Sequence, residues 1–239
     1  MRSSPLRIAV IILVSLSFAN DSVAEDGFVS IFDGSTLDGW KASTPKAAQD
    51  WTADKGMIIG RGSGRSYLIY DRNQDLSDFE LKFSYRFLGE GNSGVNIRAC
   101  VDTTGKRDYQ AYHADIGHVG IGQQILGAWD FHTPGRTEHR CFRGERLVID
   151  ENDEPTLSKI IGAVGRDEIR KQDWNEVHVI ANDNHFEFRI NGKLASEFRE
   201  ELPGDRRLRS GMIQLQIHDP GMTVQFKDLR LKVEVPDRD

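Results

Sequence analysis

The segment "DFELKFSYRFL", residues 78–88, decides the fold class because apolar and polar side chains alternate along it. Its apolar positions are Phe79, Leu81, Phe83, Tyr85 and Phe87, and the polar positions between them are Glu80, Lys82, Ser84 and Arg86. Successive side chains of a β-strand point to opposite faces. This period of two therefore predicts a strand that buries one face in a hydrophobic core.

The same period recurs elsewhere in the chain. The segments "GVNIRAC" (94–100) and "MIQLQIH" (212–218) also alternate, and Asn191-Gly192 is typical of a two-residue hairpin turn with positive φ at both positions. Helical character is confined to "GRDEIRKQ" (165–172), which could form one or two turns. We predict an all-β protein built as a single two-sheet sandwich, interrupted by a long loop over residues 102–173.

The polar positions of the three alternating segments are rich in carboxylate, amide, guanidinium and imidazole groups, among them Glu80, Arg98, Gln216 and His218. Sugar hydroxyls and carbonyls need paired donors and acceptors at fixed angles, and these groups provide them. If the segments share one sheet, their outer face is a candidate carbohydrate-binding surface. The alternative is an ordinary solvated face with weak surface salt bridges.

A second candidate cluster lies in residues 107–139. It contains His113, His118, His132 and His139, accompanied by Asp115, Asp130 and Glu138. Imidazole and carboxylate groups can together bind a divalent metal or exchange protons near neutral pH, although this spacing matches no compact zinc motif. The alternative is a polar loop with solvent-exposed imidazoles. Trp129 is either a stacking platform for a sugar ring or an anchor in the core.

Residues 1–24 have the organisation of a secretory signal peptide. Arg2 and Arg7 precede an apolar run from 8 to 19, and Ser22-Val23-Ala24 provides a small-x-small cleavage site. The apolar run is too short to span a bilayer comfortably, and no later stretch could span one. We expect an exported protein, periplasmic or extracellular, cleaved near Ala24, with one domain over residues 25–239 and no membrane partner.

Composition narrows the choice of partners. The formal net charge is −6 and the basic residues are scattered, which argues against nucleic acid because phosphate binding requires concentrated positive charge. Cys100 and Cys141 could form a disulfide in an oxidising compartment or remain buried free thiols, and the sequence leaves both alternatives open.

Together these segments resemble the 3-keto-disaccharide hydrolase family, also described as 3-keto-α-glucoside 1,2-lyase/3-keto-2-hydroxy-glucal hydratase domains. The resemblance runs in order through "GFVSIFDGSTLDGW" (27–40), "NSGVNIR" (92–98), "YHADIG" (112–117), "DWNEVHVIANDNHFEFRING" (173–192) and "GMIQLQIHDPGMTVQFKDLRLK" (211–232). It implies a concanavalin-like jelly-roll sandwich of two antiparallel sheets, with a concave face that binds carbohydrate.

The resemblance also implies that the substrates are glycosides already oxidised to a ketone at C3. That ketone acidifies the proton on C2, so a base can remove it and the C1–O bond can then break by β-elimination. Hydration of the resulting enone completes net hydrolysis. The reaction needs a base, an acid for the leaving oxygen and an electrophile at the C3 oxygen, and a divalent metal would serve as the electrophile.

Carried onto this chain, the resemblance implies site residues at Glu80, Arg98, Asp115, Gln216 and His218. Asp115 and His218 would act as catalytic base or metal ligands. Arg98 would polarise the ketone or bind a hydroxyl, and Gln216 with Glu80 would orient the sugar.

The chain departs from the family at His113, where relatives usually have Gln. This places His113, with Trp129, among the candidate substrate-binding residues and leaves the sugar specificity of the region open. The runner-up function is a non-catalytic carbohydrate-binding sandwich that uses the same face, and a protein-binding sandwich is a third alternative.

Overall fold

The structure is a computed structural model that describes residues 27–117 and 125–234. The predicted signal peptide lies outside the described residues. The described part contains seventeen strands and two short 3₁₀ turns, at Ala47–Asp50 and Arg166–Glu168. The second turn confirms the short helical stretch predicted within residues 165–172. None of the helical segments in the described ranges has the length and hydropathy of a membrane-crossing helix.

The strands follow one another with short connections. In chain order they are β1 (Val29–Ser30), β2 (Trp40–Ala42), β3 (Trp51–Asp54), β4 (Met57–Arg61), β5 (Ser66–Tyr70), β6 (Phe79–Phe87), β7 (Gly94–Val101), β8 (Tyr109–Asp115), β9 (Trp129–His132), β10 (Arg140–Cys141), β11 (Glu145–Ile149), β12 (Pro155–Lys159), β13 (Asn175–Asn182), β14 (His185–Ile190), β15 (Lys193–Glu200), β16 (Met212–Ile217) and β17 (Thr223–Val233).

The strands form two sheets. The ten-stranded sheet has the order β12-β11-β15-β14-β13-β6-β17-β4-β3, with β1 paired to β17, and the seven-stranded sheet has the order β10-β9-β8-β7-β16-β5-β2. Neighbouring strands are antiparallel except β11 and β15, which run parallel. The Asn191-Gly192 turn has φ of 50° and 79°, as predicted. The two-sheet sandwich predicted from the alternation, and the jelly roll that the family resemblance implies, are both confirmed.

The hydrophobic core lies between the two sheets. Every apolar position of β6 is buried, and its polar positions are half-exposed, so the opening segment folds as its alternation predicts. From the facing sheet, Trp129 packs its ring against Phe188 and Phe198 at centroid distances of 5.8 and 5.2 Å. Burying each such large side chain contributes about 1.5–3 kcal/mol, so this interface dominates the stability of the fold.

The prediction of a long loop over residues 102–173 was wrong, because this segment contains strands β8 to β12. Several of them have only two to five residues. Such strands are too short to display a recognisable alternation, and every residue of β12 is exposed, so this edge strand shows no apolar face at all.

The two cysteines are free thiols. Cys100 lies on β7 and Cys141 on β10, and strands β8 and β9 separate them. Three inter-strand spacings amount to roughly 14 Å, which is too far for a disulfide without backbone movement. Burial raises the pKa of the Cys141 thiol to about 12, so this thiol stays protonated and unreactive.

Candidate functional site

The outer face of the seven-stranded sheet contains a polar cavity of about 310 Å³. Its wall includes His113 and Asp115 of β8, Asp130 and His132 of β9, Gln216 of β16, and His218 directly after β16. The alternate residues of these strands, such as Tyr112 and Ala114, belong to the core between the sheets. The polar side chains therefore point outward because period-two alternation forces them to.

His218 is held at both ring nitrogens. Its Nδ1 lies 2.7 Å from Asp219 Oδ1, and its Nε2 lies 2.7 Å from Arg65 Nη2. A guanidinium can only donate, so Nε2 accepts from Arg65 and Nδ1 carries the proton that is donated to Asp219. Asp219 is fixed in turn, because its Oδ2 accepts a hydrogen bond from the backbone N–H of Asn92 at 2.8 Å. The result is an oriented imidazole whose lone pair is on Nε2.

Asp115 ends β8 and is almost fully buried. Its Oδ1 accepts a hydrogen bond from the backbone N–H of Gly117 at 2.7 Å. Burial, followed by the negative charge of Asp130, raises the pKa of Asp115 well above its ordinary value and outweighs the effect of that hydrogen bond. The protonated form of Asp115 is therefore favoured relative to an exposed aspartate, and in that form the carboxyl can donate a proton.

Asp130 has the opposite character. Burial alone would raise its pKa, but the hydrogen bond from His132 and the positive charge of Arg107 help to lower it below the ordinary value. The His113 and His132 rings stack with a centroid distance of 4.9 Å. Burial, followed by the charge of His132, lowers the pKa of His113 well below its ordinary value, so this ring is neutral near pH 7.

The position of His113 depends on a glycine in the adjacent strand. His113 Nδ1 donates a hydrogen bond of 2.7 Å to the side-chain oxygen of Asn96, which fixes the tautomer. The imidazole then lies against Gly94, the first residue of β7. A Cβ atom at position 94 would overlap the ring and lie 2.7 Å from the carbonyl oxygen of Ala114. Only glycine permits this close approach.

Gln216 contributes an available acceptor. Its Nε2 donates a long hydrogen bond of 3.4 Å to the hydroxyl of Tyr67, while its Oε1 is buried without a partner among the described residues. A buried polar atom without a partner carries a desolvation cost that a ligand hydroxyl can relieve.

Arg98 does not reach the cavity, although it was predicted as a substrate-binding residue. A bulge in β7 gives it a φ of 46° and shifts the register between Ile97 and Cys100, so its side chain turns away from the outer face. The guanidinium donates to the carbonyl oxygens of Ser77, Asp183 and Leu208 at 2.9, 2.7 and 3.1 Å and to Asp78 Oδ1 at 3.1 Å. Arg98 is therefore a structural cross-link between chain segments.

Glu80 also lies outside the cavity, because β6 belongs to the ten-stranded sheet. On the outer face of that sheet, Glu80 pairs with His178 at 2.7 Å and with Lys232 at 2.9 Å. The condition that all three alternating segments share one sheet is not met, because only β7 and β16 lie together in the seven-stranded sheet. The assignment of Glu80 to the sugar site fails for that reason.

Trp129 is fully buried in the core and cannot stack on a sugar, so the core-anchor alternative is the correct one. Of the four clustered histidines, His113 and His132 line the cavity. His139 is instead buried against Asp153 at 2.8 Å. His118 lies outside the described residues.

The described side chains do not fit a divalent metal held by Asp115 and His218. Neither the 27–117 nor the 125–234 range supplies a group of three or more His, Cys, Asp or Glu placed around a common point. The raised pKa of Asp115 also disfavours the deprotonated form that a metal ligand requires.

Sequence reasoning missed three polar cavity residues that do not belong to alternating segments. Arg65 and Asn92 lie in connections, and Arg107 lies in the turn before β8. Asp219 was also missed as the partner of His218. The only indication in the sequence was that Asp219 directly follows His218, because a single residue in a turn belongs to no periodic pattern.

Comparison with known proteins shows which family of proteins the chain is similar to. A family model described as a 3-keto-alpha-glucoside-1,2-lyase-like domain matches residues 27–232. A 3-keto-disaccharide hydrolase from Bacteroides thetaiotaomicron is 31% identical over 246 residues, covering 88% of this chain and 80% of the relative.

Solved structures share the fold. A candidate glycosyl hydrolase from Parabacteroides distasonis matches with a TM-score of 0.58 at 16% identity, covering 87% of this chain and 95% of that one. The κ-carrageenase from Pseudoalteromonas carrageenovora, in complex with an oligosaccharide, matches with a TM-score of 0.50 at 10% identity, covering 91% and 100%. The sequence matches extend over most of the chain, and they show that it belongs to the 3-keto-α-glucoside-1,2-lyase-like family.

Proposed function

We propose that the protein is an exported enzyme that cleaves glycosides bearing a ketone at C3, by β-elimination followed by hydration. One observation carries the proposal: Asp115, a carboxyl whose pKa is raised, and His218, an imidazole oriented by Asp219, line the same cavity. Family membership supports a substrate of this class, since the matched relative is named for 3-keto disaccharides.

His218 is suited to remove the C2 proton. Asp219 orients the ring and stabilises the imidazolium that forms when Nε2 accepts a proton. In the free protein, Arg65 Nη2 lies 2.7 Å from His218 Nε2, and a bound substrate would move the guanidinium away from this lone pair. Carbon C3 is bonded to C2, so the C3 oxygen of a bound substrate lies close to the proton that His218 removes. Arg65 is therefore suited to stabilise the negative charge that develops on this oxygen.

Asp115 is suited to protonate the glycosidic oxygen as the C1–O bond breaks. Its raised pKa keeps the proton available near neutral pH, and the proton passes to the leaving alcohol. Gln216 would orient the sugar through its unpartnered Oε1. During hydration of the enone, the carboxylate formed at Asp115 is suited to accept a proton from the water that adds to C1, and the imidazolium of His218 to return its proton to C2, which restores both groups.

The test uses the protein comprising residues 25–239 and a 3-keto glucoside with a chromogenic aglycone. Time-dependent release, with an enone or 3-keto sugar identified by mass spectrometry, supports the proposal. Incorporation of deuterium at C2 from heavy water checks the proton-abstraction step. Saturable sugar binding without release would instead show a carbohydrate-binding module and would overturn the proposal.

Export rests on the organisation of residues 1–24 and on the family match, which begins at residue 27. N-terminal sequencing of protein recovered outside the cytoplasm should give a mature chain that starts at Glu25. Recovery of the uncut chain from the cytoplasm alone would contradict this part of the proposal.

A further inference from the structure

A second cavity, of about 630 Å³, adjoins the site cavity and shares Arg65 and Arg107 with it. Two further cations, Lys106 and Arg136, line it together with the carboxylates of Asp108 and Glu138. The whole chain has a formal net charge of −6, so an excess of cations in one cavity is a local departure from the charge of the protein. A cavity whose lining carries more cations than anions favours ligands of negative charge.

The carboxylates do not neutralise all four cations. Glu138 is engaged by Arg107 in a bidentate pair at 3.0 and 2.8 Å. Lys106 Nζ donates to the carbonyl oxygen of Pro134 at 3.2 Å, and Arg65 donates to the neutral ring of His218. Within the described ranges neither Lys106 nor Arg65 forms an ion pair with a carboxylate, so both retain charge for a ligand.

Arg136 adds an independent observation. Its side chain is 93% buried and its Nη2 is bonded to Glu200 Oε1. Its Nη1 is buried without a hydrogen-bond partner among the described residues and lies 4.0 Å from Asp153 Oδ1. An unsatisfied N–H of a charged group is costly where it is buried, and Asp153, at ion-pair distance, offsets part of the charge of this guanidinium.

The cationic side of the cavity is also held in place. Residues 102–108 form the turn between β7 and β8, and Asp102 accepts hydrogen bonds from three of its backbone N–H groups. These are Thr104 N at 2.9 Å, Lys106 N at 3.1 Å and Arg107 N at 2.9 Å. The backbone that presents Lys106 and Arg107 is therefore preorganised, which lowers the entropy cost of binding a ligand there.

We propose that this second cavity is an anion-binding subsite, and that the preferred glycosides carry a carboxylate or a sulfate ester on the portion that extends from the sugar ring into it. The proposal rests on the proposed function, because the reacting ring is placed in the neighbouring cavity. Guanidinium and ammonium groups recognise both anions through charge-assisted hydrogen bonds, so the chemistry is shared by the two substituents.

The experiment compares 3-keto phenyl glucosides that carry a carboxamide, a carboxylate or a sulfate at the same position of the aglycone. We expect KM for the two anionic substrates to be at least about fivefold below that of the neutral one, with the difference shrinking at high ionic strength. The relative size of the carboxylate and sulfate effects identifies which anion the subsite prefers. Equal KM values for all three substrates would overturn the proposal.

The variant Lys106→Gln should remove most of the preference for the anionic substrates and leave the KM for the carboxamide within about twofold. Lys46→Gln is the matched control, because Lys46 is exposed and lines neither cavity. This control should retain the full preference. An unchanged anionic preference in Lys106→Gln, or an equal loss in both variants, would contradict the assignment.

A binding measurement separates this proposal from the proposed function. Titration calorimetry with the corresponding unoxidised glucosides, which lack the ketone and cannot undergo elimination, reports on the subsite alone. Tighter binding of the anionic glucosides without cleavage of any 3-keto substrate would support the subsite and refute the reaction. Cleavage of 3-keto substrates with no anionic preference in either assay would support the reaction and refute the subsite.

Discussion

Asp115 and Asp130 lie in one cavity on adjacent strands, and their pKa values are displaced in opposite directions. Burial and the charge of Asp130 raise the pKa of Asp115. At Asp130, His132 and neighbouring positive charges outweigh burial and lower the pKa. One carboxyl is therefore a proton donor and the other a fixed negative charge, a division of roles that catalytic sites exploit.

Replacing Asp115 by Asn should lower kcat by at least about a hundredfold, because the variant cannot protonate the leaving oxygen. The far-UV circular dichroism spectrum should be unchanged. Asp54→Asn, at an exposed position of β3, is the control with the same chemical change and should retain full activity. Full turnover in Asp115→Asn would remove Asp115 from the mechanism.

The same variant should change how stability depends on pH. The folded-state pKa of Asp115 is raised above the unfolded value of about 3.9, so its contribution is complete below that pH and is lost as pH rises through the folded pKa. Asparagine is uncharged throughout and lacks this loss. We expect Asp115→Asn to have a higher Tm than the parent at neutral pH, with the difference vanishing near pH 3. Parallel Tm–pH curves would contradict the raised pKa.

His218→Gln should abolish measurable turnover, and Asp219→Asn should reduce kcat by about ten- to a hundredfold, because the ring remains but loses its orienting carboxylate. His185→Gln is the matched control, since that imidazole pairs with Glu197 on the ten-stranded sheet. Kinetics with the 3-keto glucoside give the measurement. Equal activity in His218→Gln and His185→Gln would rule out His218 as the base.

Gly94→Ala should displace the His113 ring and destabilise the protein by about 1–3 kcal/mol, because the new methyl group overlaps the imidazole and crowds Ala114 O. Gly89→Ala is the control, since a Cβ at that position meets no atom within 4 Å. Denaturant unfolding measures the stability, and kcat/KM should fall only in Gly94→Ala. Equal unfolding midpoints for the two variants would show that position 94 tolerates a side chain.

Arg98→Ala should lower the free energy of unfolding by about 3 kcal/mol, because the buried acceptors of its guanidinium lose their donor. The folded fraction should keep a KM within about twofold of the parent. Glu80→Gln should change stability by less than about 1 kcal/mol and leave kcat/KM unchanged. A large rise in KM for either variant would restore it to the sugar site.

Much of the fold was readable from the sequence because its long strands keep a strict period of two. β6 alternates between buried apolar and half-exposed polar positions, and in β16 the apolar residues Ile213, Leu215 and Ile217 join the core while Gln216 lines the cavity, although all six residues of β16 are buried. The short strands between residues 102 and 173 were missed because two to five residues do not establish a period. The sequence also could not show which sheet a strand joins. Alternation predicts that Glu80 lies on the polar face of its strand, but it does not identify the neighbouring strands.

The site was readable only in part for the same physical reason. Gln216 and His218 lie where the alternation of their segment indicated, whereas His113 and Asp115 belong to a strand in the segment that was predicted to be a loop; all four line one cavity. Arg98 follows a motif too, but one bulge reverses the side-chain direction that its sequence position implies. Local backbone irregularity of this kind depends on tertiary contacts that a single sequence does not display.

The turn that Asp102 organises begins directly after β7 and ends directly before β8, and the hydrogen bonds that the Asp102 carboxylate accepts come from within the turn and from Gln110. Lys106 and Arg107 therefore lie on a surface turn that could be replaced as a unit, whereas Asp115 and His218 belong to the sandwich itself. A library of replacement segments of this length could retune what the protein accepts without altering its chemistry. Natural divergence could proceed by the same route, one surface connection at a time.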